Sequence, residues 1–538
     1  MTSQTTPTKG RATAPDAVPH RLPAFLLFLF SLALLGPSPV HAQVAEAWLR
    51  YTPVEAYAGN RSTRLDGMGS MEVAVEDDRS LIDPYHYGRN PAALLMSRDT
   101  SVIVIPTSYQ NFDDRYYGLN HSAVGRSAGF HGEFRPNSKW GMAADFDYGS
   151  LNASRHDLCP SPDDCRFIRD FDLPVAPQMA PITSDRTFAA GVQTPLATVT
   201  YARTFFSNVT LGARVGFRHE VENRRIREPY DLDVSSDATE FTGGATYPLP
   251  VWSGSVTLSG WAGYLQHRVV GRSESALNDD EYAWDRPQVS YGGSIHVSRG
   301  GWLRGIVDGR HRSFNGEEVA RVNWAPQFFM NPNPSDNDQE NVFKKHWSAF
   351  LSGLRHNEGS TRWLIGLPSA VHLGLSYAYF RQYEWIRPNE VVLPTVETLD
   401  VKRSGYRFAS GLSVGGPGQG LIAVEARIAR EFRQDFTNEL PDISLLTYTY
   451  HFGAEYPVRP RLPLRGGIEL IRHDPNSSDA NAPLKGIGVT AGAGYFWTGV
   501  GARFDLAYEH YHFRHSPGDP SEEIGFGDRM TLTIQRLF

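Results

Sequence analysis

From about residue 100 onward, apolar and polar positions alternate in runs of about ten residues. Val209, Leu211, Ala213, Val215 and Phe217 share one parity; Thr210, Gly212, Arg214, Gly216, Arg218 and Glu220 share the other. Successive side chains of a strand point to opposite sides of the sheet, so one face of this segment is apolar and the other carries charge. The pattern returns at Val371–Tyr379, Leu421–Ala429 and Ala502–His510. It predicts an all-β chain.

A soluble sandwich also alternates, and the connectors separate the two cases. Short connectors at Arg135–Ser138, Phe206–Asn208, Val251–Gly254, Arg299–Gly300, Gly415–Gly420 and Trp497–Gly499 take turns with longer polar ones. The longer ones fall near 111–123, 150–184, 223–236, 268–284, 314–343, 385–400, 474–484 and 514–525. Short turns on one side and long loops on the other are the habit of outer-membrane barrels. The spacing predicts a transmembrane antiparallel β-barrel of about 14–18 strands over residues 99–538. Its last strand alternates from Met530, and the terminal Phe538 resembles the signature read by the bacterial barrel-assembly machinery, although Arg536 stands where an apolar residue is usual.

Composition sharpens this picture. The 538 residues carry a net charge of −7, which leaves no basic footprint for nucleic acid. Two Cys exclude Cys-rich zinc modules and multi-disulfide scaffolds. A mean hydropathy of −0.37 suits a soluble protein, but a barrel hides its apolar face by placing polar residues at every second position. Residues 1–42 read as a signal peptide: Lys9, Arg11 and Arg21 precede the apolar run Leu22–Leu35, Pro37 and Pro39 break it, and Val40-His41-Ala42 ends in a small residue. That run is shorter than the roughly 20 residues a spanning helix needs, so the mature chain is expected to start at Gln43.

Residues 43–98 do not alternate. They hold Gly67-Met68-Gly69, a short apolar stretch running into Glu76, Asp77 and Asp78, and then Asn90-Pro91-Ala92 with Leu94 just before the first strand. This order resembles the N-terminal hatch of the long-chain fatty-acid transporter family of outer-membrane barrels, and of its relatives in the type IX secretion shuttle group. The resemblance implies that the segment folds inside the barrel as a plug, with Gly67, Gly69, Asn90, Pro91 and Ala92 as its motif. It also implies transport of small hydrophobic molecules such as fatty acids. The chain departs from the family in a longer stretch, Leu81–Arg89, and in a higher strand count. Glycine permits close backbone approach, and Pro91 biases Asn90 to an extended conformation, both of which suit a segment pressed against a wall.

Charges on the polar parity are expected to line the lumen: Arg214, Arg218, Glu220, Arg304, Asp308, Arg310, Glu425, Arg427, Arg503, Asp505 and Glu509. The lipid face is closed to them, because Arg or Lys at the bilayer midplane costs about 2–4 kcal/mol. Cys159 and Cys165 lie in a long polar connector and are expected to pair after export. Gly411, Ser413 and Gly415 spell a nucleophile-elbow string, but Gly416-Pro417-Gly418 follows and admits no helix, so a hairpin turn is expected. Asp336, Asp338 and Glu340 offer oxygen ligands without the spacing of a calcium loop.

These features predict a channel or transporter of the bacterial outer membrane, not an enzyme, without cofactor or metal. Its expected partners are outer-membrane lipids, the assembly machinery and a small hydrophobic substrate. A general diffusion porin, a barrel-embedded lipid hydrolase and a secretion or adhesion scaffold using the long loops stay open, because a fold does not determine a function.

Overall fold

In the computed structural model, the alternating segments pair into a single closed sheet. The structure describes residues 62–75, 89–96 and 101–537, less 117–118, 158–185, 206–207, 227–229, 252–253, 275–278, 301, 322–346, 369, 389–398, 417–418, 436–442, 476–483 and 516–523. The signal segment, Cys159, Cys165, the acidic stretch 331–341 and Phe538 lie outside the described residues.

In chain order the strands are β1 (Val102–Tyr116), β2 (Leu119–Asn137), β3 (Trp140–Asp157), β4 (Arg186–Phe205), β5 (Val209–Ile226) and β6 (Tyr230–Val251). They continue with β7 (Gly254–Glu274), β8 (Asp279–Arg299), β9 (Leu303–Arg321), β10 (Trp347–Leu367), β11 (Val371–Pro388) and β12 (Leu399–Gly416). The last six are β13 (Gly420–Asp435), β14 (Ile443–Arg459), β15 (Leu462–Pro475), β16 (Leu484–Trp497), β17 (Ala502–His515) and β18 (Ile524–Leu537). Each pairs antiparallel with its chain neighbours, and β1 pairs with β18 to close the ring of 18. Closure leaves no sheet edge in the lipid, where an unpaired N–H or C=O has no water to turn to. Among the described residues no helix is long and apolar enough to cross a membrane, and the strands do the crossing.

The strand number sits at the upper end of the expected range, and the strands are longer than the runs of about ten that the alternation marked. β6 spans 22 residues. The stretch 111–123, read as a connector, is mostly strand, since β1 reaches Tyr116 and β2 begins at Leu119. The physical reason is that alternation reports a lipid face. Where the hairpins run beyond the bilayer both faces meet water, so the pattern stops while the hydrogen bonding continues. Two turns went unread, after Leu367 and after Arg459. Their residues, Pro368 to Ala370 and Pro460-Arg461, lack the Gly- and Asn-rich chemistry of the others.

Parity divides the wall as expected. On β5, Val215 and Phe217 are 47% and 46% exposed, while Arg214 and Arg218 on either side of them are buried. Phe146, Val199, Phe241, Ile295, Val489, Leu506 and Met530 extend the apolar exterior around the ring. Near the short turns it is rimmed by Phe134, Phe205, Tyr247, Trp302, Tyr456 and Trp497, and at mid-strand by Tyr148, Tyr264, Tyr291, Tyr379, Tyr406 and Tyr508. Two aromatic girdles around an apolar band are the surface of an outer-membrane barrel. The protein is a transmembrane barrel of the bacterial outer membrane.

Candidate functional site

Two pieces of the N-terminal segment lie against the inner wall. The first contains a one-turn helix, α1 (Thr63–Asp66), whose N-cap Ser62 accepts the Leu65 N–H through Oγ. A tight turn follows, with Gly69 at φ +82° and Ser70 at φ +56°. Met68 and Met71 are buried there with Ala74, Leu421 and Ala423. The second piece is a 3-10 turn, Pro91–Leu95, capped by Asn90 Oδ1, which accepts the Ala92 N–H at 3.0 Å. Pro91 at its first position lacks an N–H that would have had no partner in the turn. Leu94 is fully buried among Val102, Val104, Ala143 and Ala202 of the wall.

Close backbone contact is bought with glycine on both surfaces. A Cβ on Gly69 would stand 3.0 Å from the Phe452 carbonyl, and a Cβ on Gly67 3.1 Å from the Gly492 Cα. The wall answers in kind. A side chain on Gly453 or Gly467 would collide with the backbone of Met68 or Gly69, and one on Gly212 with that of Pro91 and Ala92. These wall glycines were not singled out in the sequence. Each lies on the inward parity, but only the packing shows what it faces.

Charged wall groups hold the first piece. Arg64 forms a two-pronged ion pair with Glu455, Nε to Oε2 at 2.8 Å and Nη2 to Oε1 at 3.0 Å. Glu455 also accepts from Arg465 at 2.8 Å, and Arg465 reaches Asp505 at 2.7 Å. Asp505 in turn pairs with Arg503. The Glu425 Oε2 accepts three successive backbone N–H groups, from Glu72 at 3.0 Å, Val73 at 2.8 Å and Ala74 at 3.1 Å. Arg427 donates to Glu425 at 2.6 Å and to the Ser70 carbonyl at 2.6 Å. His451 Nδ1 donates to the Gly69 carbonyl at 2.6 Å, which fixes its proton on that nitrogen. Ser70 donates to Glu509 at 3.3 Å, and Glu509 pairs with Arg529.

The second piece is held differently. Asn90 Nδ2 donates to the Ala245 carbonyl at 3.2 Å. Arg89 bridges Asp308 and Glu358, each at 2.8 Å, and Glu358 lies 3.4 Å from Arg310.

The structure thus gathers Glu425, Arg427, Arg503, Asp505 and Glu509 around the first piece, and Asp308 and Arg310 around the second. Arg214 lies farther along the wall, paired with Glu240 at 3.2 Å, and Arg218 is buried on the same face. Arg304 shares the inward parity of Asp308 but is exposed near the β8–β9 turn. Glu220 lies in β5, and its side chain is outside the described ones. Gly411, Ser413 and Gly415 run along β12 into a turn with Gly415 at φ +104°, so the elbow string is a strand entering a hairpin.

One wall cluster was missed. His131 is fully buried with Nε2 3.2 Å from Glu133 and Nδ1 against Asp145, while Arg135 pairs with Glu133 at 2.7 Å and Thr198 donates to Asp145 at 2.5 Å. The parity of Phe130 and Phe134 against His131, Glu133 and Arg135 carried the signal.

No protein-family model matches the chain, and no curated protein matches it. Solved structures with a similar course include the toluene transporter TodX of Pseudomonas putida, at 11% identity and a TM-score of 0.35, covering 90% of this chain and 100% of that one. A Pseudomonas aeruginosa FadL homologue gives 11% identity and a TM-score of 0.35 over 88% of this chain and 98% of that one. The ferric preacinetobactin receptor BauA of Acinetobacter baumannii gives 10% and 0.37 over 82% and 80%.

Proposed function

We propose that the protein is an outer-membrane channel for small molecules whose N-terminal segment plugs the lumen. The observation that carries this reading is the seating of two separate pieces, 62–75 and 89–96, on inward-facing glycines and charges from β5, β6 and β9–β18. A tail merely leading into β1 has no need of a glycine footprint on distant strands. The plug motif, with its resemblance to fatty-acid transporters, favours hydrophobic compounds, fatty acids among them, as the cargo.

A wet passage for polar solutes is the second reading, and the wall itself favours it. Gln288 is 1% exposed between the inward Leu265 and Phe314, and both ends of its amide lack a partner among the described residues. A buried amide in that position calls for water.

Deleting Gln43–Tyr87 tests the plug: single-channel conductance or antibiotic entry rises if the segment closes the lumen, and unchanged permeability refutes it. Mass spectrometry of small molecules that co-purify with the detergent-extracted barrel separates the cargo classes. Enriched fatty acids or other apolar ligands, absent from a control barrel, support the first; an empty barrel with salt-dependent conductance supports the second.

A further inference from the structure

We propose that Arg355, Arg381, Lys402 and Arg430, on the lipid-facing side of β10–β13, form a binding site for the phosphates of an outer-leaflet lipid carrying at least two of them. Their outward orientation follows from parity with the exposed Tyr379, Tyr406 and Phe408. Arg355 pairs across with Tyr383, and Tyr383 with Lys402, so the three share one cross-strand row. Arg381 stands opposite Asn357 and Ser404, and Arg430 opposite Tyr406, one and two steps down the same face. Adjacent strands lie about 4.8 Å apart, so four strands spread the cations over roughly 15 Å. That is the breadth of one large headgroup.

Their height is equally specific. The four residues lie ten to fourteen positions from the short turns. At about 3.3 Å per residue and a tilt near 40°, this is roughly 25–35 Å from the turn side, at and just beyond an apolar band about 25 Å tall. Lipid phosphates occupy that level.

Among the described residues the charges are also uncompensated. None of the four makes an ion pair with a described residue, and no carboxylate occurs among the described outward-facing side chains of β9–β13. Elsewhere on the outer face, His219 has Asp237 at 2.7 Å and His510 has Asp528 at 2.9 Å. Neighbouring like charges repel, and a polyanion relieves them. Two guanidinium groups are already oriented, Arg355 over Trp385 at 5.6 Å and Arg430 over Phe432 at 4.3 Å. Planar guanidinium suits phosphate, and the rings beneath suit the lipid's apolar shoulder. The site depends on the barrel standing in the membrane and not on what crosses its lumen.

The test is native mass spectrometry of the purified barrel in neutral detergent, incubated with diphosphoryl lipid A, its monophosphoryl form or its dephosphorylated form. Wild type is expected to retain the diphosphorylated lipid at least tenfold over the dephosphorylated one. The variant R355Q/R381Q/K402Q/R430Q should lose that preference, and R203Q/R299Q/R459Q/R461Q, at the opposite rim, should keep it. Equal retention of the three lipids by wild type, or equal loss in both variants, overturns the proposal. Heat-modifiable migration on gels reports folding. If the quadruple variant does not fold, R381Q and R430Q singly should each lower the preference at least threefold, and no change in either overturns it.

Discussion

The Oε2 of Glu425 lies 2.8 Å from the Val73 amide nitrogen and accepts its N–H together with those of the two flanking residues. One carboxylate oxygen on β13 thus neutralises three donors of a segment about 350 positions earlier in the chain. Hydrogen bonds to a charged acceptor contribute about 1.5–3 kcal/mol each, so this contact is a main tether of the first piece. Glu425→Gln keeps the shape and removes the charge, leaving Arg427 without its nearest counter-ion. Limited proteolysis of the N-terminal segment should become much faster while the barrel stays resistant; unchanged cleavage contradicts the tether.

Gly453 supplies the space for the Met68 carbonyl. Gly453→Leu fills that space from the inward face, and overpacking costs about 1–3 kcal/mol. The load falls on the docked piece and not on the β13–β14 ladder. Antibiotic entry in whole cells should rise toward that of the deletion variant, with the same heat-modifiable migration as wild type. Wild-type permeability would mean that the piece shifts without opening a path.

Glu455 stands between Arg64 and Arg465, and the side chains of all three are at most 5% exposed. Removing one partner of a buried pair strands the other and costs about 3–5 kcal/mol. Glu455→Ala should therefore lower the urea midpoint of the refolded barrel more than Arg64→Ala, because it withdraws a carboxylate from both Arg64 and Arg465, whereas Arg64→Ala leaves Glu455 paired with Arg465. Equal shifts would show that the network is wet enough to compensate.

Cys159 and Cys165 are expected to pair in the exported protein. Thiol alkylation before and after reduction should differ by two adducts; no difference removes the disulfide.

The membrane band was legible in the sequence because lipid enforces parity. At Val209–Glu220 every outward position is apolar or small apart from His219, so faces and charges could be read before any strand was paired. The outer ends were not legible, because water on both faces imposes no pattern, and 111–123 therefore looked like a connector. The motif of the N-terminal segment was visible at Gly67, Gly69 and Asn90, yet the wall residues it rests on were not. Gly212, Gly453 and Gly467 become a site only when distant strands are placed around a segment that no local rule connects to them. Arg427 on the polar parity could be assigned to the lumen, but its bond to Ser70 depends on that same placement.

The pairing of Val102 with Leu537 joins the first strand to the last. Contacts this distant in sequence form late, because the chain between them must be ordered before they are rewarded, and folding slows accordingly. Every other strand can zip onto a neighbour made just before it, but β1 must wait for β18. Throughout that interval the growing sheet carries two unpaired edges, each a template for another copy of itself. The closing of one seam therefore sets how long the chain stays open to aggregation.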